Sequence, residues 1–385
     1  MGHSTEKSKG TVCVTGATGF VASWLIKCLL QDGYRVRGAV RDPENYEKAA
    51  HLWALSGAKE RLQLVKGDLL VEGSYDAAVA GCEGVFHTAA ALVRIKSDPK
   101  AEMLDPTILG TLNVLHSCAK STTLKRVVLT SSTAAVRFRD DLEQPGAVTY
   151  LDEYSWSSIF FCTKYQIWYS LAKILSEQEA WKFAFLHSID LVVVLPSFVI
   201  GPCLPYPLSK TAQDICDLLN GGRNFGIHGR MGYVHVDDVA RAHILVYETP
   251  SAQGRYICSA QEATPQELVQ YLADRYPHLQ ISTNLWTSCL TTAFHSWRKR
   301  VSSRENQRKR RHRHLHLMSI RRIVCFRMFD WLFKILNWKT TVQLVFDVVA
   351  VPRDDRGRLF TGLRIAPRRL YHLTIHFVQR YCAKT

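Results

Sequence analysis

Along the first two hundred positions the apolar residues fall into two alternating textures. Short runs rich in Val, Ile and Leu occupy residues 11–15, 34–40, 62–66, 84–88, 125–130 and 190–195. Longer stretches between them place apolar residues at spacings of three and four, most clearly over 19–31, 106–118 and 164–185. A short apolar run predicts a strand, and the three-and-four spacing predicts an amphipathic helix lying on it. Six such repeats predict an α/β fold built on a doubly wound parallel sheet, with ligands bound beyond the carboxyl ends of its strands. After Pro196 the texture turns Pro- and Gly-rich as far as Gly232 and carries Phe198, Tyr206, Phe225 and Met231, which predicts substrate-side loops and short elements. A last regular unit follows, with a helix over 237–248, a strand over 255–258 and a helix over 265–276.

Composition changes this picture at one end. The formal net charge is +15, yet residues 284–385 hold 22 Lys/Arg against 5 Asp/Glu while residues 1–283 hold 27 against 29. The positive excess therefore belongs to the tail. Three regions result: residues 1–195 form a dinucleotide-binding core, residues 196–283 a smaller mixed substrate-binding region with returning elements of the core, and residues 284–385 an atypical basic tail read as disordered or aberrant. The run from Arg298 to Arg313 could bind phosphates or act as a nuclear signal. It lacks interleaved aromatics and a groove-entering motif, so nucleic acid is not the expected partner. Eleven scattered cysteines with no Cys-x-x-Cys argue against zinc and disulfides, and no metal site is expected. His312, His314 and His316 alternate without acidic or thiol company, which does not change that reading. No apolar stretch reaches the length of a membrane helix and the start lacks a signal-peptide pattern, so a cytoplasmic location is expected. The oligomeric state is open.

Three constellations carry candidate chemistry. Thr15-Gly16-Ala17-Thr18-Gly19-Phe20-Val21-Ala22 joins the first strand to the first helix. There Gly16 permits a tight turn, Gly19 lets the backbone approach a pyrophosphate, and the small Ala22 lets the helix lie close to the strand. Gly16, Thr18, Gly19, Phe20 and Val21 are thus the expected cofactor turn of a Rossmann core. At the end of the second strand Arg41, followed by Lys48, offers positive charge where a free ribose hydroxyl would want an acid, so NADP(H) is favoured over NAD(H). The pattern Tyr-x-x-x-Lys places a phenol and an ammonium on one helix face, where the ammonium stabilises the phenolate. It occurs as Tyr169 with Lys173, inside a helical stretch, and as Tyr206 with Lys210, where Pro205 and Pro207 oppose a helix. The first is the expected site. With Ser132, or alternatively Ser131, at the end of the fifth strand, it forms the trio of a carbonyl reductase: Tyr169 gives the proton, Ser132 bonds the carbonyl oxygen, and Lys173 supports the phenol and holds the nicotinamide ribose.

These residues resemble the extended short-chain dehydrogenase/reductase superfamily, and within it the plant dihydroflavonol reductase and cinnamoyl-CoA reductase group, from about Thr11 to Ile281. The resemblance rests on Val14 to Phe20, Val40-Arg41-Asp42-Pro43, Gly67-Asp68-Leu69, Gly84 to Ala89, Gly110 to Val114, Tyr169 with Lys173, Pro196 to Pro202, and Gly254 to Cys258. It implies adenine contacts from Asp68 and Leu69, a ribose-side contact near Thr88, and nicotinamide packing from Pro196 and Val199. Cinnamoyl-CoA reductases usually spell the active-site helix differently from Gln166 to Lys173, and dihydroflavonol reductases commonly carry Asn or Asp where Arg137 stands. The motifs around Ser131, Lys164 and Gly232 are most similar to tetraketide α-pyrone reductases. That similarity implies an oxidoreductase acting on the ketone of a long-chain alkyl-pyrone in sporopollenin precursor synthesis, with Phe198, Tyr206, Phe225 and Met231 accommodating the chain. Thioester reduction, dihydroflavonol reduction and a catalytically dead cofactor binder are the alternatives. Family members end soon after the region of Tyr276 in one amphipathic helix, which is not recognisable here; an unspliced intron or a shifted frame is the expected origin of the tail.

Overall fold

The computed structural model describes residues 9–91, 95–140, 151–205, 207–222 and 230–283. Tyr206, Phe225 and the basic tail lie outside the described residues. The strands are β1 Thr11–Thr15, β2 Arg35–Val40, β3 Leu62–Lys66, β4 Gly84–His87, β5 Arg126–Thr130, β6 Leu191–Pro196, β7 Phe198–Ile200, β8 Met231–His235, β9 Gly254–Cys258 and β10 Gln261–Ala263. The helices are α1 Phe20–Gln31, α2 Tyr46–Trp53, α3 Ala58–Arg61, α4 Asp76–Val79, α5 Asp105–Ala119, α6 Ile159–Lys164, α7 Trp168–Leu186, α8 Lys210–Leu219, α9 Val236–Glu248 and α10 Pro265–Arg275.

Seven strands form one sheet in the order β3-β2-β1-β4-β5-β6-β9, and every neighbouring pair in it is parallel. The six strands expected from apolar runs are all present to within a residue or so at each end, and β9, the expected returning strand, extends the same sheet. Alternation explains why these strands read as unbroken apolar runs. Val12, Val14, Phe86, Val128, Val192 and Val194 face the layer of α1 and α9, whereas Cys13, Val85, Val127, Leu129, Val193 and Leu195 face the layer of α5 and α7. A parallel sheet covered on both faces has no polar side to alternate with.

Strand order reverses between β1 and β4, which leaves a crevice at their carboxyl ends. Beyond it β10, β8 and β7 form a second, mixed sheet, with β8 antiparallel to β10 and parallel to β7. Phe198, Leu218, Tyr233, Val269 and Leu272 fill the core of this smaller layer.

Three expectations need correction. The helix read as 164–185 is two helices, because α6 closes in a Schellman turn: Gln166 takes φ 55°, its amide donates to Thr163 and the Ile167 amide donates to Cys162. Gln in a position that favours Gly or Asn hid this stop from the sequence. The stretch 196–232, read as loops and short elements, contains the ten-residue helix α8, started by the Ser209 hydroxyl accepting from the Ala212 amide. Finally, Phe198, offered as a chain-binding aromatic, is 8% exposed and packs edge-on to Tyr233 at 5.5 Å inside the smaller core.

Candidate active site

The first glycine turn is built as its residue types require. Gly16 has φ 64°, and a Cβ there would stand 3.0 Å from the Cα of Ala89, just past β4. The turn thus sits against the partner strand at the reversal point. Gly19 caps α1, its amide donating to the Gly16 carbonyl at 2.8 Å. No side chain caps the helix and no acidic residue occupies its first turn, so its leading amides and positive dipole end are left for an anion. Thr18, Phe20 and Val21 lie in the same turn, with Phe20 and Val21 packed against the core.

Arg41 follows β2 directly and is exposed, and Lys48 lies in α2 a few residues further on. Asp42 does not consume Arg41: its carboxylate accepts the Glu44 amide at 3.1 Å, and no ion pair among the described residues joins the two. Asp68 and Leu69 follow β3; the Asp68 carboxylate accepts from the Leu70 amide and the Leu69 carbonyl from Asn113. The Thr88 hydroxyl donates to the Thr15 carbonyl at 2.6 Å, tying the end of β4 to β1. Pro196 ends β6, buried, and Val199 is half-buried in β7. These positions line one edge of the sheet, at the carboxyl ends of its strands. The donor turn, the uncapped helix and the free cation after β2 together fit a 2′-phosphorylated dinucleotide.

The candidate catalytic residues lie around the end of β5 and the start of α7. Lys173 is 8% exposed, and its ammonium donates to the Thr130 carbonyl at 3.2 Å. Tyr169 lies one turn before it in the first turn of α7 and is 38% exposed. The break at Gln166 is what puts this phenol at a helix end facing outward. Ser132 caps a short 3-10 turn, Thr133–Ala135, by accepting the Ala134 amide at 3.1 Å, which leaves its own O–H to donate. Helix α7 packs on that turn. Ser131, the alternative hydroxyl, is buried and donates a hydrogen bond to the Glu177 carboxylate at 2.6 Å. Its role is therefore to anchor α7, and Ser132 is the hydroxyl left at the edge.

Several supporting residues escaped the sequence reading. Glu177 continues the four-residue spacing of Tyr169 and Lys173, which was the available signal. It is 1% exposed and accepts from Ser131 on one oxygen and from Arg255 of β9 on the other, at 2.6 Å each. Arg255 also donates to the carbonyls of Glu153 and Ser155 and stacks over Trp156 at 3.8 Å. His243 of α9 holds the other side of Thr130. Its Nδ1 lies 2.7 Å from the Val239 carbonyl, which can only accept, so Nδ1 carries the proton and Nε2 accepts from the Thr130 hydroxyl at 2.7 Å. Burial pushes this imidazole down to about 4. His87, at the end of β4, is also held neutral: burial first, then the Lys173 charge, lower it to about 3. Its Nδ1 meets the Thr15 hydroxyl at 2.8 Å. Among the described residues no helix is long and apolar enough to cross a membrane, and no group of His, Cys, Asp and Glu is placed to hold a metal ion.

The chain is similar to characterised proteins over most of this structure. Tetraketide alpha-pyrone reductase 1 of Arabidopsis thaliana is 57% identical over 277 residues, covering 72% of this chain and 84% of that protein. Cinnamoyl-CoA reductase CAD2 of Medicago truncatula is 48% identical over 278 residues, covering 72% and 84%. Among solved structures, the yeast methylglyoxal/isovaleraldehyde reductase Gre2 complexed with NADPH matches with a TM-score of 0.63 at 26% identity, over 72% of this chain and 86% of that one. The model of the NAD dependent epimerase/dehydratase family matches residues 12–258, which span the whole sheet from β1 to β9. The uncapped glycine turn, the reversed strand order and this match agree, and the chain belongs to the NAD dependent epimerase/dehydratase family.

Proposed function

We propose that this NAD(P)-dependent reductase uses NADPH to reduce the side-chain ketone of a tetraketide α-pyrone. The observation that carries the reaction is the ammonium of Lys173 held on the Thr130 carbonyl, one turn of α7 from Tyr169 and beside the Ser132 cap. NADPH, when bound, supplies hydride to a carbonyl carbon. The chain's own residues bind the carbonyl and move the proton. The Ser132 O–H donates to the carbonyl oxygen and strengthens its hold as that oxygen gains charge. Tyr169 transfers its phenolic proton to the same oxygen, and the nearby ammonium of Lys173 stabilises the phenolate left behind. Gly16, Gly19 and the leading amides of α1 hold the pyrophosphate, and Arg41 with Lys48 holds the 2′-phosphate.

The substrate class is supported by the 57% identity to tetraketide alpha-pyrone reductase 1. Following NADPH oxidation and product identity with a pyrone ketone, a cinnamoyl-CoA thioester and a dihydroflavonol separates the readings. Formation of the pyrone alcohol without release of CoA is the expected result. Aldehyde formation with CoA release, and no pyrone alcohol, would assign the chain to thioester reduction instead.

A further inference from the structure

Helix α2 carries Lys48 and closes the loop that carries Arg41, yet it is lightly anchored. Of its eight residues only Ala49 and Leu52 are buried, whereas α1 buries eight of its twelve. One polar bond crosses between the two helices: Nε2 of His51 in α2 lies 2.9 Å from the hydroxyl of Ser23 in α1. Among the described residues no other side-chain hydrogen bond ties α2 to another element. The surroundings of Ser23 fix the direction of this bond. Ser23 is fully buried with one proton to give, and the Gly19 carbonyl, which can only accept, stands 2.6 Å from its oxygen. The hydroxyl therefore donates back to Gly19, one turn earlier in α1, and accepts Nε2–H from His51. The Gly19 amide in turn donates to the Gly16 carbonyl at 2.8 Å. A continuous chain of hydrogen bonds thus runs from α2 through Ser23 to the glycine turn.

His51 stands three residues after Lys48, so the two are neighbours on the helix surface. Asn45, between Arg41 and Lys48, caps α2 by accepting the Lys48 amide at 3.0 Å, so the far end of the Arg41 loop is fixed wherever α2 is fixed. Resting on the assignment of Arg41 and Lys48 to the 2′-phosphate, we propose that His51 is a positioning residue for cofactor choice. Its bond to Ser23 sets the separation between the glycine turn and those two cations, matching it to a dinucleotide that carries both a pyrophosphate and a 2′-phosphate. The deeply packed α1 is the fixed partner and α2 the dependent one. Breaking the bond therefore displaces the cations and leaves the turn in place, a loss that falls on NADP(H) and spares NAD(H). A side chain that only held the fold together would burden both cofactors alike.

Calorimetric titration of the full chain with NADP⁺ and with NAD⁺ reads this tie without turnover. Gln presents an amide N–H near the place of the imidazole Nε2–H, whereas Asn, equally polar, is one carbon shorter and does not reach Ser23. His51→Asn is expected to weaken NADP⁺ about 3- to 10-fold, the range of one neutral hydrogen bond, and to leave NAD⁺ within about twofold. His51→Gln is expected to bind both as the unaltered protein does. Ser23→Ala, which removes the acceptor, should lose as much NADP⁺ affinity as His51→Asn, and the two together no more than either alone. Equal weakening of both cofactors in His51→Asn, no weakening of either, or the same loss in His51→Gln overturns the proposal. Both replacements are uncharged and polar at a half-exposed position, which the fold tolerates; if His51→Asn nonetheless unfolds, Ser23→Ala carries the same comparison. Lys48→Ala and Arg41→Ala separate the tie from the reading beneath it. NADP⁺ binding unchanged in both would place the 2′-phosphate elsewhere and sink that reading and the tie together; binding weakened in them but not in His51→Asn would sink the tie alone.

Discussion

At the scale of single residues the site divides the work between side chains that touch reactants and side chains that hold them in place. In the proposed reaction Tyr169 belongs to the first kind; it is half-exposed in the first turn of α7, one turn before Lys173. Tyr169→Phe removes the proton donor and little packing, so turnover should fall about 10²-fold or more while the melting temperature stays within a degree or two. Unchanged turnover would move the proton's source elsewhere. Arg41, exposed and unpaired by Asp42, should matter to one cofactor only: Arg41→Ala should raise the Michaelis constant for NADPH at least about tenfold and leave that for NADH nearly unchanged. Steady-state titration of both cofactors checks this. A parallel loss with both would mean that Arg41 shapes the loop and does not read the phosphate.

Elements are positioned by polar ties that run between them. Helix α7 is pinned to β5 by Lys173 on the Thr130 carbonyl and by Ser131 on Glu177, and Glu177 in turn holds Arg255 of β9. Through Arg255 the tie reaches the carbonyls of Glu153 and Ser155, ahead of α6. The ion pair is nearly fully buried, at 7% and 1% side-chain exposure. Removing one partner strands the other charge, so Glu177→Ala should cost about 3–5 kcal/mol in urea unfolding. The double change Glu177→Leu with Arg255→Met should cost clearly less than the sum of its two single changes. Additive losses would mean the two groups are each held by their other bonds. The start of α7 is an equally local decision, since the Schellman turn at Gln166 brings Tyr169 to a helix end.

For the molecule as a whole, two buried histidines link folding to pH. His87 and His243 are depressed to about 3 and about 4, while in the unfolded chain each titrates near 6.5. The unfolded state therefore binds more protons below pH 6.5, and stability falls as pH falls from there toward the folded values. Each histidine should contribute about 1 kcal/mol of loss between pH 6.5 and 5.5. Urea midpoints across that interval should drop, and His243→Gln should reduce the slope. A flat stability profile from pH 7 to 5 would contradict the neutral burial of both rings.

The parallel sheet, its strand positions and the glycine turn were legible in the sequence because each depends on local pattern: apolar runs for doubly covered strands, Gly16 for a positive φ, small residues where backbone meets backbone. Tyr169 and Lys173 were legible because four residues make one helical turn. Glu177 lay one further turn along the same face, but nothing local says that a carboxylate there will meet Arg255 seventy-eight positions later. The same holds for His243 beside Thr130 and for Arg137 against Met231. That Ser131 donates to Glu177 was likewise not readable before α7 was packed, since adjacent hydroxyls differ only in the side of the strand end they leave from. Sequence alone determined the fold and the candidate phenol through short-range periodicity; the burial of charge and the partners of the two serines were decided by long-range packing, which brings together residues that no spacing rule connects.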